Sequence, residues 1–214
     1  MVYSNDMSKK EDKKKQIVKA GLKLFLKSGF HNCRIEDIVE KAKVGKGTFY
    51  LHFKNKEDLV CQLMDIFISE VKETLEWVMD NLDENTPLQT IFEEEARRLV
   101  MTFDANKSLA KFMFREGRSV SAKIDKKISA FYLEIITLSE TTFAFAAHAG
   151  LINKVHPKVA ATCVVGGITQ LYTQYLEGDF EEEDCSIEQL TDSAIEFFIF
   201  ALGVKPNQSI GSLS

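Results

Sequence analysis

Apolar residues recur along this chain with the period of a helix rather than the alternation of a strand. Ile17, Ala20, Gly21, Leu24 and Phe25 make one stripe, with Lys13, Lys15, Lys19, Lys23 and Lys27 on the opposite side. Gly29 is its expected stop, in the left-handed position after a helix. Ile35, Ile38, Val39 and Ala42 form an apolar face over two turns, with Glu36, Asp37, Glu40 and Lys41 pointing away. Val44-Gly45-Lys46 reads as a tight turn, after which a second short helix carries residues 48–52 and closes at Phe53. Asn55-Lys56-Glu57-Asp58 reads as an N-cap with an acidic partner three residues on. It opens a long helix marked by Leu59, Leu63, Ile66, Phe67, Val71, Leu75 and Val78, to about residue 82.

The remainder is helical by the same criterion. Thr86-Pro87-Leu88-Gln89 has the form of a capping box with Pro at the first helical position, and starts a helix to about 103. A shorter helix starts at Asn106 or Ser108 and runs through Phe112 and Phe114. Residues 121–149 form a long helix ending at Gly150. Pro157 starts another, to about 176, before Gly178. Residues 179–184 are an acidic surface loop. Ser186-Ile187-Glu188-Gln189 is a further capping box, opening a last helix that stops at Gly203. Residues 1–8 and 205–214 are expected to be flexible tails. No repeat of 20–50 residues is present. The expected fold is all-α, about nine helices, and the low count of 11 Gly and 3 Pro in 214 residues agrees with long helices.

Charge divides the chain where the pattern does not. The net charge is −5, yet residues 1–60 hold 14 Lys and Arg against 8 Asp and Glu, and residues 61–214 hold 13 against 24. A basic head on an acidic body suits a head that meets a polyanion, although a solvated lysine-rich helix gives the same totals. An apolar content of 45%, with 16 Phe, allows a sizeable core. Cys33, Cys61, Cys163 and Cys185 form no C-x-x-C, and His31, His52, His148 and His156 are too far from them in sequence to suggest a zinc module. Reduced thiols, no metal and no cofactor are expected. No signal sequence is visible, and the longest apolar run, near 197–204, is far short of the ~20 residues that span a bilayer. A cytoplasmic protein is expected, with no membrane partner. No phosphate loop, nucleophile motif or metal spacing supports an enzyme.

The segment KVGKGTFYLHFKNKEDL, residues 43–59, gives the basic head a specific meaning. Two short helices joined by a tight turn, the second basic and aromatic, form a helix-turn-helix. The second helix has to enter the major groove, which just admits an α-helix, so its start needs the small Gly45, Gly47 and Thr48. Tyr50, His52, Lys54 and Lys56 are placed to reach phosphates, and Lys46 to reach a guanine edge. Phe49 and Phe53, four apart, are expected to pack inside. At these residues the chain resembles the DNA-binding domain of tetracycline-repressor-type (TetR family) regulators: "LKLFLKSGFHNC" followed by "IEDIVEKAKVGKGTFYLHFKNKEDLV". Gly29-Phe30, Ile35 with Ile38, Gly47-Thr48-Phe49-Tyr50, Phe53 and Lys56-Glu57-Asp58-Leu59 fall at family spacing. Three positions depart from it. Cys33 and Arg34 stand where a hydroxyl residue is usual, and Arg34 offers a charged phosphate contact in its place. Lys43 occupies the family's turn glycine. Gly45 replaces a Ser or Thr cap. The expected DNA-binding set is Arg34, Lys46, Gly47, Thr48, Tyr50, His52, Lys54 and Lys56, within a domain spanning 9–55.

The resemblance implies that residues 56–204 bind a ligand and dimerise. The last two helices support a dimer independently, because their apolar arcs are wider than one core face needs. Val164, Gly167, Ile168, Leu171, Ala194, Phe198 and Ala201 are the expected interface, with Gly166-Gly167 permitting close backbone approach across it. Packing within one chain is the plainer alternative. In the family this region encloses an effector pocket, and Phe67, Trp77, Phe103, Phe112, Arg115 and Tyr132 are its candidates here. Arg97, Arg98, Arg115 and Arg118 are candidate anchors for an anionic group. The long helix from Lys56 is the one evident link between head and body. The function expected is a dimeric, ligand-responsive regulator, a repressor released from a palindromic operator on double-stranded DNA by a small hydrophobic or aromatic effector. The alternative is a ligand-binding or protein-interaction module whose DNA-binding head no longer works.

Overall fold

A computed structural model describes residues 2–81, 85–180, 185–205 and 209. Among them the chain is all helical: α1 Val2–Ser28, α2 Ile35–Ala42, α3 Lys46–His52, α4 Lys56–Asn81, α5 Leu88–Ala105, α6 Lys107–Arg115, a 3-10 turn Gly117–Ser119, α7 Ala122–His148, α8 Pro157–Glu177 and α9 Ile187–Leu202. No described helix is long and apolar enough to cross a membrane. Two features depart from the sequence reading at helix starts. Helix α1 begins at Val2 rather than near Lys9, since residues 2–8 contain no Pro or Gly to stop a helix growing outward from the apolar stripe. At α5 the first helical bond runs from the Ile91 N–H to the Pro87 carbonyl (3.1 Å), so Pro87 itself takes the cap position expected of Thr86. The four glycines expected as helix stops, Gly29, Gly150, Gly178 and Gly203, all take positive φ, from 61° to 90°. Of the acidic loop and C-terminal tail, residues 181–184, 206–208 and 210–214 lie outside the described residues, as does 82 at the expected end of α4.

The chain divides into two compact units. One comprises residues 1–68 with 106–128. Its centre is built from Ile17, Phe25, Ile38, Phe49, Phe53 and Phe112, all at 0–1% exposure. Burial of each such side chain contributes about 1.5–3 kcal/mol. Phe25 stacks on Phe30 and Phe112 at 5.1 and 5.8 Å, so α6 packs on α1. His31 Nε2 lies 3.1 Å from the Ser119 carbonyl, joining the turn before α2 to the 3-10 turn. Ser121 Oγ bonds Glu57, and Lys127 pairs with Asp65.

The other unit comprises residues 69–105 with 129–214. Leu88, Phe143, Ala146, Ile152, Ala161 and Leu202 lie in one buried cluster, against which Phe92 packs edge-on to Phe143 (5.6 Å, 71°). The connection between α7 and α8 seals the end of α9. The Asn153 N–H donates to the Leu202 carbonyl (2.7 Å), and the Lys205 N–H to Leu151 (3.2 Å). Ser186 caps α9 as expected, its Oγ accepting from the Gln189 N–H (3.3 Å) while its own N–H donates to Gln189 Oε1 (2.8 Å). Ser209 pairs with Pro87 in an isolated bridge. Helices α4 and α7 each contribute to both units, so α4 is not the sole helical link: the backbone passes between units along α7 as well.

Candidate nucleic-acid interface

The helix-turn-helix forms because each departure from the usual pattern is absorbed locally. The Arg34 N–H donates to Asp37 Oδ2 (2.9 Å), which caps α2 from the acidic side, and the guanidinium lies 3.5 Å from the same carboxylate. Lys43 adopts φ 55°, ψ 42°, the left-handed conformation that a glycine takes at lower cost, and the Lys43 N–H closes α2 on Glu40 (3.1 Å). Gly45 is extended (φ −75°, ψ 153°) and caps α3 through its carbonyl alone, accepting from the Thr48 N–H at 2.9 Å. The turn therefore survives with a lysine and an unadorned cap.

Helix α3 sorts its side chains by its own period. Phe49 and Phe53 face inward at 0% and 1% exposure, ring to ring at 5.6 Å, as expected. Lys46, Gly47 and Tyr50 are exposed, with Gly47 and Tyr50 on one face of the helix, and Lys54 is exposed in the bend beyond its end. Tyr50 is held edge-on against Phe49 at 5.5 Å. A Cβ added at Gly47 would meet no atom within 4 Å, so nothing inside the protein requires that glycine. Leu51, 74% exposed, shares this face and was not singled out from sequence. Its signal was available: it is one turn from Gly47 and opposite Phe53.

Not all the expected side chains reach outward alike. Thr48 and His52 are half-buried, and the His52 carbonyl accepts from Gln62 Nε2 (3.2 Å). The Lys46 ammonium is bonded to Glu36, which raises the lysine and lowers the carboxyl; both are fully exposed, so the pair opens readily to another acceptor. Lys54 donates its backbone N–H to Asp58 Oδ2 (2.9 Å) and leaves its ammonium on the surface. Lys56 turns inward. Its ammonium donates to the Phe30 carbonyl (2.8 Å) and the Cys33 carbonyl, and sits 4.6 Å from the Phe30 ring centroid. That charge ties the start of α4 to the turn between α1 and α2. Beside it, burial pushes the Cys33 thiol up, with Lys56 opposing.

The expected effector residues are spread over both units. Phe67 and Phe112 are fully buried in the unit that holds the helix-turn-helix, and Arg115 is exposed there. Trp77, Phe103 and Tyr132 belong to the other unit; Phe103 is buried against Tyr172 at 5.4 Å. Among the expected anion anchors, Arg97 pairs with Asp192 (3.0 Å), Arg98 with Glu94 (2.5 Å) and Arg118 with Asp125 (3.4 Å). Arg98 also stacks on Trp77, 3.3 Å from its ring centroid.

The expected dimer residues split in a similar way. Val164, Gly167, Ile168, Leu171, Ala194 and Phe198 are half-buried, and Ala201 is exposed. Gly167 accepts Phe198 of the same chain: a Cβ there would lie 2.7 Å from the ring. Close approach at Gly167 is thus between α8 and α9 of one protomer, while Gly166 opens to solvent. The residues that stand out from α8 and α9 are Val159 (58%), Phe197 (64%) and Phe200 (86%), with Cys163 and Gly166 exposed on α8. Both arcs are apolar, and composition alone did not show which faced outward.

Comparison with known proteins agrees with this geometry. Residues 17–63 match the family model for bacterial regulatory proteins, tetR family. Over 80 residues the chain is 31% identical to the HTH-type transcriptional regulator YerO of Bacillus subtilis, a match spanning 37% of this chain and 28% of that protein. Over 194 residues it is 21% identical to the fatty acid metabolism regulator protein of Bacillus subtilis, covering 90% of this chain and 97% of the relative. A TetR-family transcriptional regulator from Syntrophomonas wolfei superposes with a TM-score of 0.70 at 22% identity, covering 92% of this chain and 98% of its own. The Bacillus subtilis regulator FadR, solved in complex with stearoyl-CoA, superposes with a TM-score of 0.67 at 19% identity, over 86% and 96%.

Proposed function

We propose, on the premise that this chain belongs to the tetR family of bacterial regulatory proteins, that it is a dimeric repressor whose grip on a palindromic operator is released by a small apolar effector. The observation that carries this reading is the outward face of α3. Lys46, Gly47, Tyr50 and Leu51 lie exposed on a helix whose other side is locked into the core by Phe49 and by Phe53 at its end, and Lys54 is exposed in the bend that follows. A seven-residue helix with a smooth glycine near its start enters a major groove, and the surrounding lysines neutralise phosphates. Domain boundaries near residues 9–55 and 56–204 go with this division of labour. Regulation, not catalysis, is the activity this arrangement serves.

Each protomer supplies one recognition helix, so a dimer reads two half-sites about one helical turn apart. The exposed apolar face of α8 and α9 supports such a dimer. An effector held by the unit of residues 69–105 and 129–214 acts on the head through α4 and α7, which both enter the other unit. The stearoyl-CoA bound by FadR supports a ligand with a long apolar part. Gel-shift titration on the DNA flanking the gene itself tests the reading. We expect a discrete complex that competitor DNA of random sequence does not displace. Binding no tighter than to random DNA would overturn it.

A further inference from the structure

A lone exposed leucine is common on protein surfaces, so exposure by itself gives Leu51 no meaning. Its direction does. Phe49, at 0% exposure, marks the inward side of α3. A rotation of about 100° per residue then sets Gly47 and Leu51 on either side of the opposite pole, each within about 20° of it. Leu51 is 74% exposed, the most exposed large apolar side chain among the described residues of the unit that holds the helix-turn-helix. Helical side chains lean toward the N-terminus, so Leu51 projects over the turn that Gly47 begins. The space at Gly47 is open, because a Cβ there would meet no atom within 4 Å. What the glycine lacks is one methyl group. The pole of α3 is therefore an aliphatic side chain beside a position that a methyl from outside can fill.

The flanks of the helix are polar and differ from each other. Lys46 and Tyr50 are exposed on one side, the lysine bonded to Glu36 of α2 and the tyrosine edge-on to Phe49. Thr48 and His52 are half-buried on the other. Hydrogen-bonding groups thus surround an apolar centre. In a major groove the base edges present donors and acceptors, and the one apolar group among them is the C5-methyl of thymine. A leucine set against any other base edge strips water from a polar group and returns no hydrogen bond. Against a phosphate it gains nothing. Leu51 therefore favours thymine and penalises the other bases at the same position.

We propose that Leu51 is a specificity-determining residue, which reads the C5-methyl of one thymine in each half-site, the methyl entering the space over Gly47. This rests on the regulator reading above and deepens it by naming a base of the operator.

To test it, the full chain selects its site from a random duplex library. Each thymine of the recovered half-site is then replaced singly by deoxyuridine, which removes the methyl and keeps the base pair. At one thymine the replacement should weaken wild type about fourfold, the worth of one buried methyl. Leu51→Ala should bind the thymine duplex more weakly than wild type does, and bind the thymine and deoxyuridine duplexes alike at that position. Leu51→Asn, close in size but polar, should be equally indifferent to the methyl. A cytosine in place of that thymine should weaken wild type, and 5-methylcytosine should recover about the same fourfold. Both variants should keep the salt dependence of wild type, since Leu51 neutralises no phosphate. A half-site in which no thymine is sensitive to deoxyuridine would overturn the assignment, and so would a methyl effect of the same size in Leu51→Ala. A specific complex indifferent to the methyl sinks this proposal alone, whereas the recovery of no specific site sinks the regulator reading with it.

Discussion

Four single residues carry consequences that the stripe pattern does not contain. Lys43 holds a left-handed conformation that costs a side-chain-bearing residue about 1–2 kcal/mol. Glycine removes that cost but adds freedom to the unfolded chain worth about 0.4–1 kcal/mol. Lys43→Gly is therefore expected to stabilise the protein by about 0.5–1 kcal/mol, read as a melting temperature higher by a few degrees; an unchanged midpoint would show that Lys43 is already compensated. Lys54 and Lys56 look alike in sequence and differ in the fold. Lys54→Ala should leave the melting temperature alone and lower the salt dependence of DNA binding by about 0.9 log units per log unit of salt. Lys56→Ala should lower the melting temperature, because it strips a charged donor from the Phe30 and Cys33 carbonyls, a loss of about 1.5–3 kcal/mol. The reverse assignment of these two effects would refute the geometry. Glu95 adds a pH dependence. Its carboxyl is raised from 4.5 to about 7 in the fold, so the folded state favours the protonated form. The stability this confers is complete below about 4.5 and is lost as pH climbs through 7, by up to about 3 kcal/mol. Glu95→Gln should match wild type at pH 5 and exceed it at pH 8, by chemical denaturation at each pH; equal stabilities at both would mean the carboxyl is solvated.

Elements were legible in the sequence to the extent that one apolar face met one core. Helices α2 and α3 satisfy this, with caps and turn in place, and their bounds fall where the pattern puts them. Phe49 and Phe53 were identified as core for the same reason. Less was legible where a helix is apolar on two sides. On α8 and α9 the pattern showed a wide arc but not its phase: Val164 and Phe198 make contacts within the chain, while Phe197 and Phe200 stand outward. Glu95 was hidden for a different reason: a charged letter inside a stripe reads as a surface position, whereas the fold leaves it half-buried. Lys56 is the converse, a basic letter whose ammonium folds back onto carbonyls that only the tertiary structure brings near. Gly47 was legible and is testable at this scale. Because no atom lies within 4 Å of a Cβ there, Gly47→Ala keeps the fold and raises helix propensity, by up to about 1 kcal/mol. Gly47→Leu should fold equally well yet fill the face that meets the groove, and lose specific DNA binding by at least about tenfold. Retained operator affinity in Gly47→Leu would mean that α3 does not enter the groove on this face.

Function at the scale of the whole molecule requires that two heads act together. A single helix-turn-helix makes few contacts, so specific affinity comes from two half-sites held at the spacing of successive major grooves, about 34–36 Å. The outward residues Val159, Gly166, Phe197 and Phe200 are the surface available for holding them. Phe200→Glu is the cleanest disruption, because Phe200 is 86% exposed and its loss disturbs little within the protomer, whereas Phe198 fills the gap over Gly167. Sedimentation should show a dimer for wild type and a monomer for Phe200→Glu at micromolar concentration, and the variant should bind a half-site as wild type does while losing its preference for the palindrome. An effector can then act only through a difference in its affinity for the operator-bound and free arrangements of the dimer. A coupling of about 1–3 kcal/mol, typical of such switches, corresponds to a loss of operator affinity of about 5–150-fold. Linkage demands the same factor in reverse, so the effector must bind the operator complex more weakly than the free dimer by that ratio. Titrating a single effector with and without saturating operator measures one side of the cycle, and titrating operator with and without saturating effector measures the other. Equal factors from the two titrations, abolished together in Phe200→Glu, are the expected result; an effector affinity indifferent to operator would mean that the two sites are not coupled, and that the apolar body binds its ligand for some purpose other than releasing DNA.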